Sequence, residues 1–220
     1  MSTINSLNVY LHITAGAVLL IIGLIPMFTK KGSPVHVKFG QNYKYLYVIT
    51  LVTAIIGVIF FRSPPSLVLV TYGATYGYLS AIRAVTIKAS GPVLLDNILA
   101  IAAILAGLFL LTLMQRGSHT ASFPAAMGYA TAGLVMSYAV YDLSRNFWRK
   151  AWCDKAWAAD HGIKMVSGYF ALASAAAGNL LRDFQPWSQI GPSILGTLLA
   201  VILVIIFYRY SPLNNRTDRA

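Results

Sequence analysis

The sequence predicts an all-α fold, a polytopic transmembrane bundle of seven helices that forms a single membrane domain over residues 1–220. Three observations predict it. Seven apolar stretches approach the length of about 20 residues that a helix needs to cross a bilayer core. The chain is 57% hydrophobic and only 10% charged, whereas a soluble domain carries about 25% charged residues. Most of its charged residues lie in the short turns between the apolar stretches.

Each predicted span ends at a polar or proline-containing break in the sequence. Lysines follow the first span, a double proline follows the second, and Gly91-Pro92 separates the third from the fourth. Arg116 lies in the turn after the fourth span, and Pro124 opens the fifth. A basic loop precedes the sixth, which ends in Arg182-Asp183. The predicted spans are residues 8–29, 45–61, 67–87, 93–114, 124–143, 156–181 and 190–208.

Lysine and arginine are distributed unevenly among these turns. The first, third and fifth turns and the C-terminal tail hold 12 of them, whereas the second, fourth and sixth turns hold one each. The positive-inside rule therefore predicts an N-terminus outside and a C-terminus in the cytoplasm, in the cell inner membrane. The same bias explains the net charge of +11, so membrane lipids are the expected partners and nucleic acid is not.

Several ionisable side chains lie inside the predicted spans, where they are costly and often functional. With the predicted topology they converge on one layer within about 10 Å of the cytoplasmic surface, at about 1.5 Å per helical residue. Tyrosines at helical spacing on the third span share a face with the arginine of this layer. The candidate ligand-binding residues are His36, Arg83, Asp96, Asp142, His161, Lys164, Tyr72 and Tyr76.

These residue types suggest roles. Imidazoles titrate near neutral pH, so we expect His36 and His161 to exchange protons and to open onto one cavity, within about 10 Å of each other. Arg83 and Lys164 would hold an anionic group, with an aspartate orienting them. Arg83 is also expected to pair with Asp142, because an unpaired buried charge is expensive. Structural alternatives remain open, since long cations can extend to the interface and an aspartate can complement a helix dipole.

Aromatic residues concentrate near the predicted span ends. This distribution is typical of the interfacial belt of membrane proteins. The predicted belt comprises Tyr43, Tyr45, Tyr47, Trp148, Trp152, Trp157, Trp187, Tyr208 and Tyr210.

The four histidines invite a redox interpretation, because two lie at each predicted face, as in a two-haem cytochrome. Haem b is the cofactor that this alternative implies. His36 and His119, however, are predicted in turns and not on packed helices. The sequence predicts no metal site, since Cys153 is the only cysteine and no H-x-x-x-H spacing occurs.

Three short patches of this sequence carry a resemblance to a known family. They are Leu11-His12 with Gly16 and Gly23; Pro34, His36, Gly40 and Tyr43; and Asp160-His161-Gly162-Ile163-Lys164-Met165 with Tyr169 and Ala171. Together they resemble DUF2306, a bacterial membrane family of unknown function.

The resemblance implies a membrane bundle in which His36 and His161 match the family pattern. Val37 and Gln41 stand where the family has arginines, Lys164 stands in place of its tryptophan, and Gly168 in place of a further arginine. No activity comes with the family, so the resemblance selects residues and not a reaction.

Taken together, the sequence predicts an inner-membrane protein whose cytoplasm-side polar pocket binds or moves a small molecule, a proton or a lipid headgroup. One alternative is a membrane electron-transfer protein with a haem b or quinone site. Another is a structural or assembly subunit in which the polar layer only holds helices together. Whether the protein is an enzyme is left open, because no Ser or Cys nucleophile is paired with a base at a recognisable spacing.

Overall fold

The computed structural model describes residues 3–61, 65–115 and 125–210. Over these ranges the chain is helical and contains no strand, and the predicted all-α fold with seven long helices is confirmed. The long helices are α1 (Thr3–Phe28), α2 (Pro34–Phe60), α3 (Pro65–Thr86), α4 (Leu94–Gln115), α5 (Ala125–Ser144), α7 (Trp157–Leu180) and α8 (Trp187–Tyr210).

A distorted helical stretch precedes α7. It consists of one α-helical turn, α6 (Arg149–Ala151), followed by the π-helical segment Trp152–Ala156. Because a π-helical turn accommodates an extra residue, the residues before α7 are rotated relative to a regular helix. Asp160 lies in the first turn of α7, just beyond this distortion.

Four helices in the described part of the chain are long and apolar enough to cross a membrane. They are α1, α2, α4 and the segment Trp187–Ile206 of α8, which indicates a membrane protein. The other three long helices, α3, α5 and α7, contribute most of the charged ring and its hydroxyl partners described below. The predicted inside and outside faces stay a prediction.

The start of α2 differs from the sequence prediction. Residue 45 was expected to open this helix, with His36 in a turn, but α2 begins at Pro34 and places His36 in its first turn. Ser33 is the N-cap and its Oγ accepts the His36 backbone N–H at 3.2 Å. A serine cap followed by proline at the first helical position is a known helix start, so the expectation of a turn at His36 was wrong.

The chain divides into two compact units, Met1–Ala74 and Thr75–Ala220. In the first unit, α1 packs against α2 through a group of uncharged polar side chains. His12 Nδ1 lies 3.1 Å from the Thr50 carbonyl oxygen and 2.9 Å from Thr53 Oγ1, and Asn8 donates to the Thr53 carbonyl at 3.0 Å. These contacts give His12 Nδ1 two oxygen partners on α2.

In the second unit, α4 packs against α5 and α7 packs against α8. Small residues permit the α7–α8 contact. A Cβ atom at Gly178 would overlap the Gln189 side chain, and one at Gly196 would overlap Phe170. The hydroxyls of Ser174 and Ser193 lie 2.8 Å apart across the same contact.

Candidate functional site

Four charged side chains form a closed ring inside the second unit. Lys164 Nζ lies 2.5 Å from Asp142 Oδ1 and 2.6 Å from Asp160 Oδ1. Arg145 closes the ring, with Nη1 3.1 Å from Asp160 Oδ2 and Nη2 3.4 Å from Asp142 Oδ1. Each carboxylate therefore contacts two cations and each cation contacts two carboxylates, and the four formal charges sum to zero.

Helix α3 supplies hydroxyl groups to this ring. Tyr76 donates to Asp142 Oδ2 at 2.7 Å, and the Ser80 hydroxyl donates to the same oxygen. Ser80 Oγ also accepts from Lys164 Nζ at 2.7 Å. The ammonium group of Lys164 thus has three oxygen partners, which matches its three N–H donors.

Trp152 completes the other side of the ring. Its indole N–H donates to Asp160 Oδ2 at 3.1 Å, and its ring lies under the Arg145 guanidinium at 5.0 Å. This tryptophan is fully buried, so its predicted place in the interfacial aromatic belt was wrong. Tyr43 and Tyr47 are also buried, and the same prediction was wrong for them.

The ring is shielded from water. The side chains of Asp142, Arg145, Asp160 and Lys164 are each 2% exposed or less. Removing ions from water carries a large desolvation cost, which close opposite charges and further hydrogen bonds offset. An unpaired member would cost several kcal/mol, so the ring is stable only while each of its charges keeps an oppositely charged partner.

Arg83 forms a separate ion pair at the end of α3. Its Nε and Nη2 contact the two carboxylate oxygens of Asp96 at 2.6 and 3.0 Å. Asp96 Oδ2 also accepts the Val93 backbone N–H at 2.9 Å, so this carboxylate caps α4 as well. The prediction that Arg83 pairs with an acid is confirmed, but the choice of Asp142 was wrong, because Asp142 is occupied by Lys164 and Arg145.

A narrow cleft separates the Arg83–Asp96 pair from the ring. The cleft has a volume of about 10 Å³, which is room for about one water molecule. The Arg83 side chain, 23% exposed, is the least buried of the four ion-paired side chains on its wall, since the other three are at most 2% exposed. The cleft is lined by Tyr76, Leu79, Ser80, Arg83, Asp96, Leu99, Asp142 and Arg145.

The structure thus brings together Tyr76, Arg83, Asp96, Asp142 and Lys164 from the predicted set. Their roles in binding a ligand stay predictions. The shared face predicted for tyrosine and arginine on α3 is present at Tyr76 and Arg83, which line the same cleft together with Leu79.

The predicted histidines each bond a backbone carbonyl. His161 Nδ1 lies 2.9 Å from the Ala81 carbonyl oxygen, within the second unit. His36 Nδ1 lies 3.0 Å from the Pro26 carbonyl oxygen, within the first unit, which also contains Tyr72. The cavity shared by His36 and His161 stays a prediction, and His119 lies outside the described residues.

Four members of the site were not among the candidate residues, namely Ser80, Arg145, Trp152 and Asp160. Two of them carry a signal. Arg145 follows Asp142 by three residues and Lys164 follows Asp160 by four, and both spacings place opposite charges side by side on a helix. Ser80 follows Tyr76 by four residues, so both hydroxyls lie on one face of α3 and donate to the same Asp142 oxygen.

Among the described residues, no group of three or more His, Cys, Asp or Glu side chains is placed to hold a metal ion. Comparison with known proteins adds no assignment, since no family model, curated protein or solved structure matches the chain. The charged ring and the cleft beside it are therefore the features of the structure that bear on function.

Proposed function

We propose that the protein is a multi-pass membrane protein that takes up and releases protons at the buried ring, with Asp142 as the group that is protonated. The observation that carries this proposal is the cleft. It places Asp142 and the partly exposed Arg83–Asp96 pair on the walls of a space for one water. A water in this space would hydrogen-bond groups on both walls and give a proton a path between them.

The closed ring tolerates a change of charge better than an isolated pair would. If Asp142 is protonated, Lys164 keeps Asp160 as its partner at 2.6 Å, and Arg145 keeps Asp160 at 3.1 Å. Neither cation is then left unpaired, which is the outcome that makes breaking a buried ion pair costly. The Tyr76 and Ser80 hydroxyls can each rotate to accept the new carboxyl proton.

The size of the cleft favours a proton over a larger ligand. Small-molecule sites usually enclose about 300–1,000 Å³, far more than the room for one water found here. The two cations proposed to hold an anion are also engaged, Lys164 by three oxygens and Arg83 by both oxygens of Asp96.

A second candidate function is supported by the same ring. Its formal charge is zero and all four members are paired, as expected of a structural or assembly subunit in which the ring only fixes how α5 and α7 pack. In that case, the ring would keep its charges over the whole pH range in which the protein is folded.

An infrared pH titration of the purified protein in lipid separates the two candidates. The proton proposal predicts that a carboxylic-acid carbonyl band appears as pH is lowered and that Asp142→Asn removes it. Asp183→Asn, which changes an exposed acid in the α7–α8 turn, is the matched control and should leave the band in place. Asp142→Asn is the mildest variant, because the amide keeps the side chain's shape.

A folded wild-type protein that shows no such band, or a band that survives in Asp142→Asn, would contradict the proton proposal. The first of these results would favour the structural role. The folded state of each variant is checked by its elution as a single species and by its thermal unfolding.

We further propose that all seven long helices span the inner membrane, with the N-terminus outside and the C-terminus in the cytoplasm. The basic bias of the odd-numbered turns supports this orientation. A reporter fused after Ala220 should be active only as a cytoplasmic fusion, and periplasmic activity would contradict it. Kinship with DUF2306 stays a prediction, as does the haem or quinone alternative, which an absorption spectrum of the purified protein would test.

A further inference from the structure

One face of the second unit combines exposed cations with aromatic rings. It consists of Lys88 after α3, Phe147 and Trp148 between α5 and α6, Arg149 and Lys150 in α6, and Trp157 at the start of α7. We call these six residues the aromatic–basic surface. None of them belongs to the charged ring or to the cleft.

The aromatic–basic surface is held in place by specific contacts. The Arg149 guanidinium donates through Nε, at 2.9 Å, and through Nη2 to the Ser90 carbonyl oxygen. Its side chain crosses Gly91, whose φ of 74° favours glycine and where a Cβ would overlap Arg149. Trp148 and Trp157 pack against the buried cluster of Ala84, Ile87, Trp152 and Ala156.

The position of the surface follows from helix α4. This helix is one of the four that are long and apolar enough to cross a membrane, and it begins at Leu94. Residues 88–91 therefore lie at one end of a candidate span. Since Arg149 bonds Ser90, the segment that carries Phe147 to Lys150 lies at the same membrane boundary.

The three cations of the surface have no acidic partner in the described part of the chain. Lys88 lies over the Trp157 ring at 4.9 Å, Arg149 bonds only a carbonyl oxygen, and Lys150 is exposed. The cations Arg83, Arg145 and Lys164 differ, because each of them contacts an aspartate. The surface thus carries three cations with which no described carboxylate forms an ion pair.

Phe147 places an exposed apolar ring beside these cations. Its side chain is 92% exposed, and moving a phenylalanine ring out of water is favourable. An exposed phenylalanine next to three cations fits a partner that is anionic at its surface and apolar beneath. The interface of a bilayer that contains acidic lipids has both properties.

We propose that the aromatic–basic surface binds the headgroup of an anionic phospholipid. In this arrangement Lys88, Arg149 and Lys150 contact the phosphate region, and Phe147 enters the boundary between headgroups and acyl chains. An acidic segment of a partner protein would satisfy the charges, but it would not by itself account for an exposed phenylalanine near the start of the candidate span α4. The proposal does not depend on proton uptake at the ring.

The test is a native mass spectrometry titration of the full chain in neutral detergent with phosphatidylglycerol, and separately with phosphatidylcholine. The wild type should bind phosphatidylglycerol more tightly, and the preference should fall as ionic strength rises. Lys150→Gln should weaken phosphatidylglycerol binding about fivefold, the effect of one cation near an anionic surface. Arg182→Gln, an exposed cation in the α7–α8 turn, is the matched control and should change nothing.

Phe147→Ser serves as a second variant, because it leaves every cation in place. It should weaken the binding of both lipids and preserve the preference between them. The proposal is overturned if the wild type shows no preference, if Lys150→Gln binds like the wild type, or if Arg182→Gln has an equal effect. It is also overturned if polyglutamate binds in a Lys150-dependent manner and phosphatidylglycerol does not, which would assign the surface to an acidic protein.

Discussion

The two compact units hold their helices together with polar contacts of different kinds. In the first unit, α1 and α2 are joined by hydrogen bonds of the uncharged side chains of Asn8, His12 and Thr53. In the second, α3, α5 and α7 contribute to the charged ring and its hydroxyl partners. Both α1 and α2 are apolar enough to cross a membrane, whereas α3, α5 and α7 contribute the buried charges of the ring or their hydroxyl partners.

The difference shows what each arrangement can do. Neutral hydrogen bonds between membrane helices contribute modestly, because the separated helices find other partners. A buried ring of four charges is much more sensitive, since the loss of any one member leaves an ion without its partner. The uncharged contact therefore joins two helices with little dependence on any one group, whereas packing around the charged ring depends on all four of its members.

The largest expected effect is at the ring. Lys164→Ala should lower the free energy of unfolding by about 3–5 kcal/mol, because it leaves two buried carboxylates each short of a cation. Adding Asp142→Ala should cost little more, since the remaining Arg145–Asp160 pair is intact. Denaturant unfolding in mixed micelles measures both values. Lys30→Ala, which removes an exposed cation between α1 and α2, is the control. A loss below 1 kcal/mol for Lys164→Ala would contradict a large contribution of the ring to stability.

An intermediate effect is expected at the Arg83–Asp96 pair, which is partly exposed. A double-mutant cycle of Arg83→Ala with Asp96→Ala should give a coupling of about 1–3 kcal/mol, as for hydrogen bonds between charged groups. The same cycle with Asp142→Ala should give a smaller value, because Asp142 bonds other partners. A larger coupling to Asp142 would restore the pairing expected from sequence.

The smallest effect is expected in the first unit. Thr53→Val removes the hydroxyl that lies 2.9 Å from His12 Nδ1 and should lower the free energy of unfolding by about 0.6 kcal/mol, with about 1.7 as an upper bound. The control is Thr112→Val, since the Thr112 hydroxyl bonds only the Phe109 carbonyl of its own helix. A loss as large as that of Lys164→Ala would remove the contrast between the two units.

The helices could be predicted closely from sequence, because hydropathy and proline breaks report directly on them. The third predicted span, residues 67–87, corresponds to α3 at Pro65–Thr86, and the fourth, 93–114, to α4 at Leu94–Gln115. The exception is α2, which starts 11 residues before the predicted span, because its first turns are polar and hydropathy cannot detect them. The Ser33-Pro34 cap was the signal for that start.

The candidate site could be predicted only in part. Position along the helices correctly placed Asp96, Asp142 and Lys164 near one another, because the distance along a helix is proportional to residue number. Pairing was harder, since Arg83 could reach either acid by depth alone. Packing decided it, with Asp96 meeting Arg83 while Asp142 faces Lys164, Arg145 and two hydroxyls.

The sequence by itself determined that this chain is all-helical, where most helices begin and end, and which charges lie within them. These properties depend on local composition and periodicity, which neighbouring residues carry. Only the tertiary structure decided that four charges close into a neutral ring, that Trp152 is buried beneath it, and that one water's space lies beside Asp142. Such arrangements depend on the rotation of each helix about its axis, including the shift made by the π-helical segment Trp152–Ala156. Packing against other helices sets that rotation, and no single stretch of sequence encodes it.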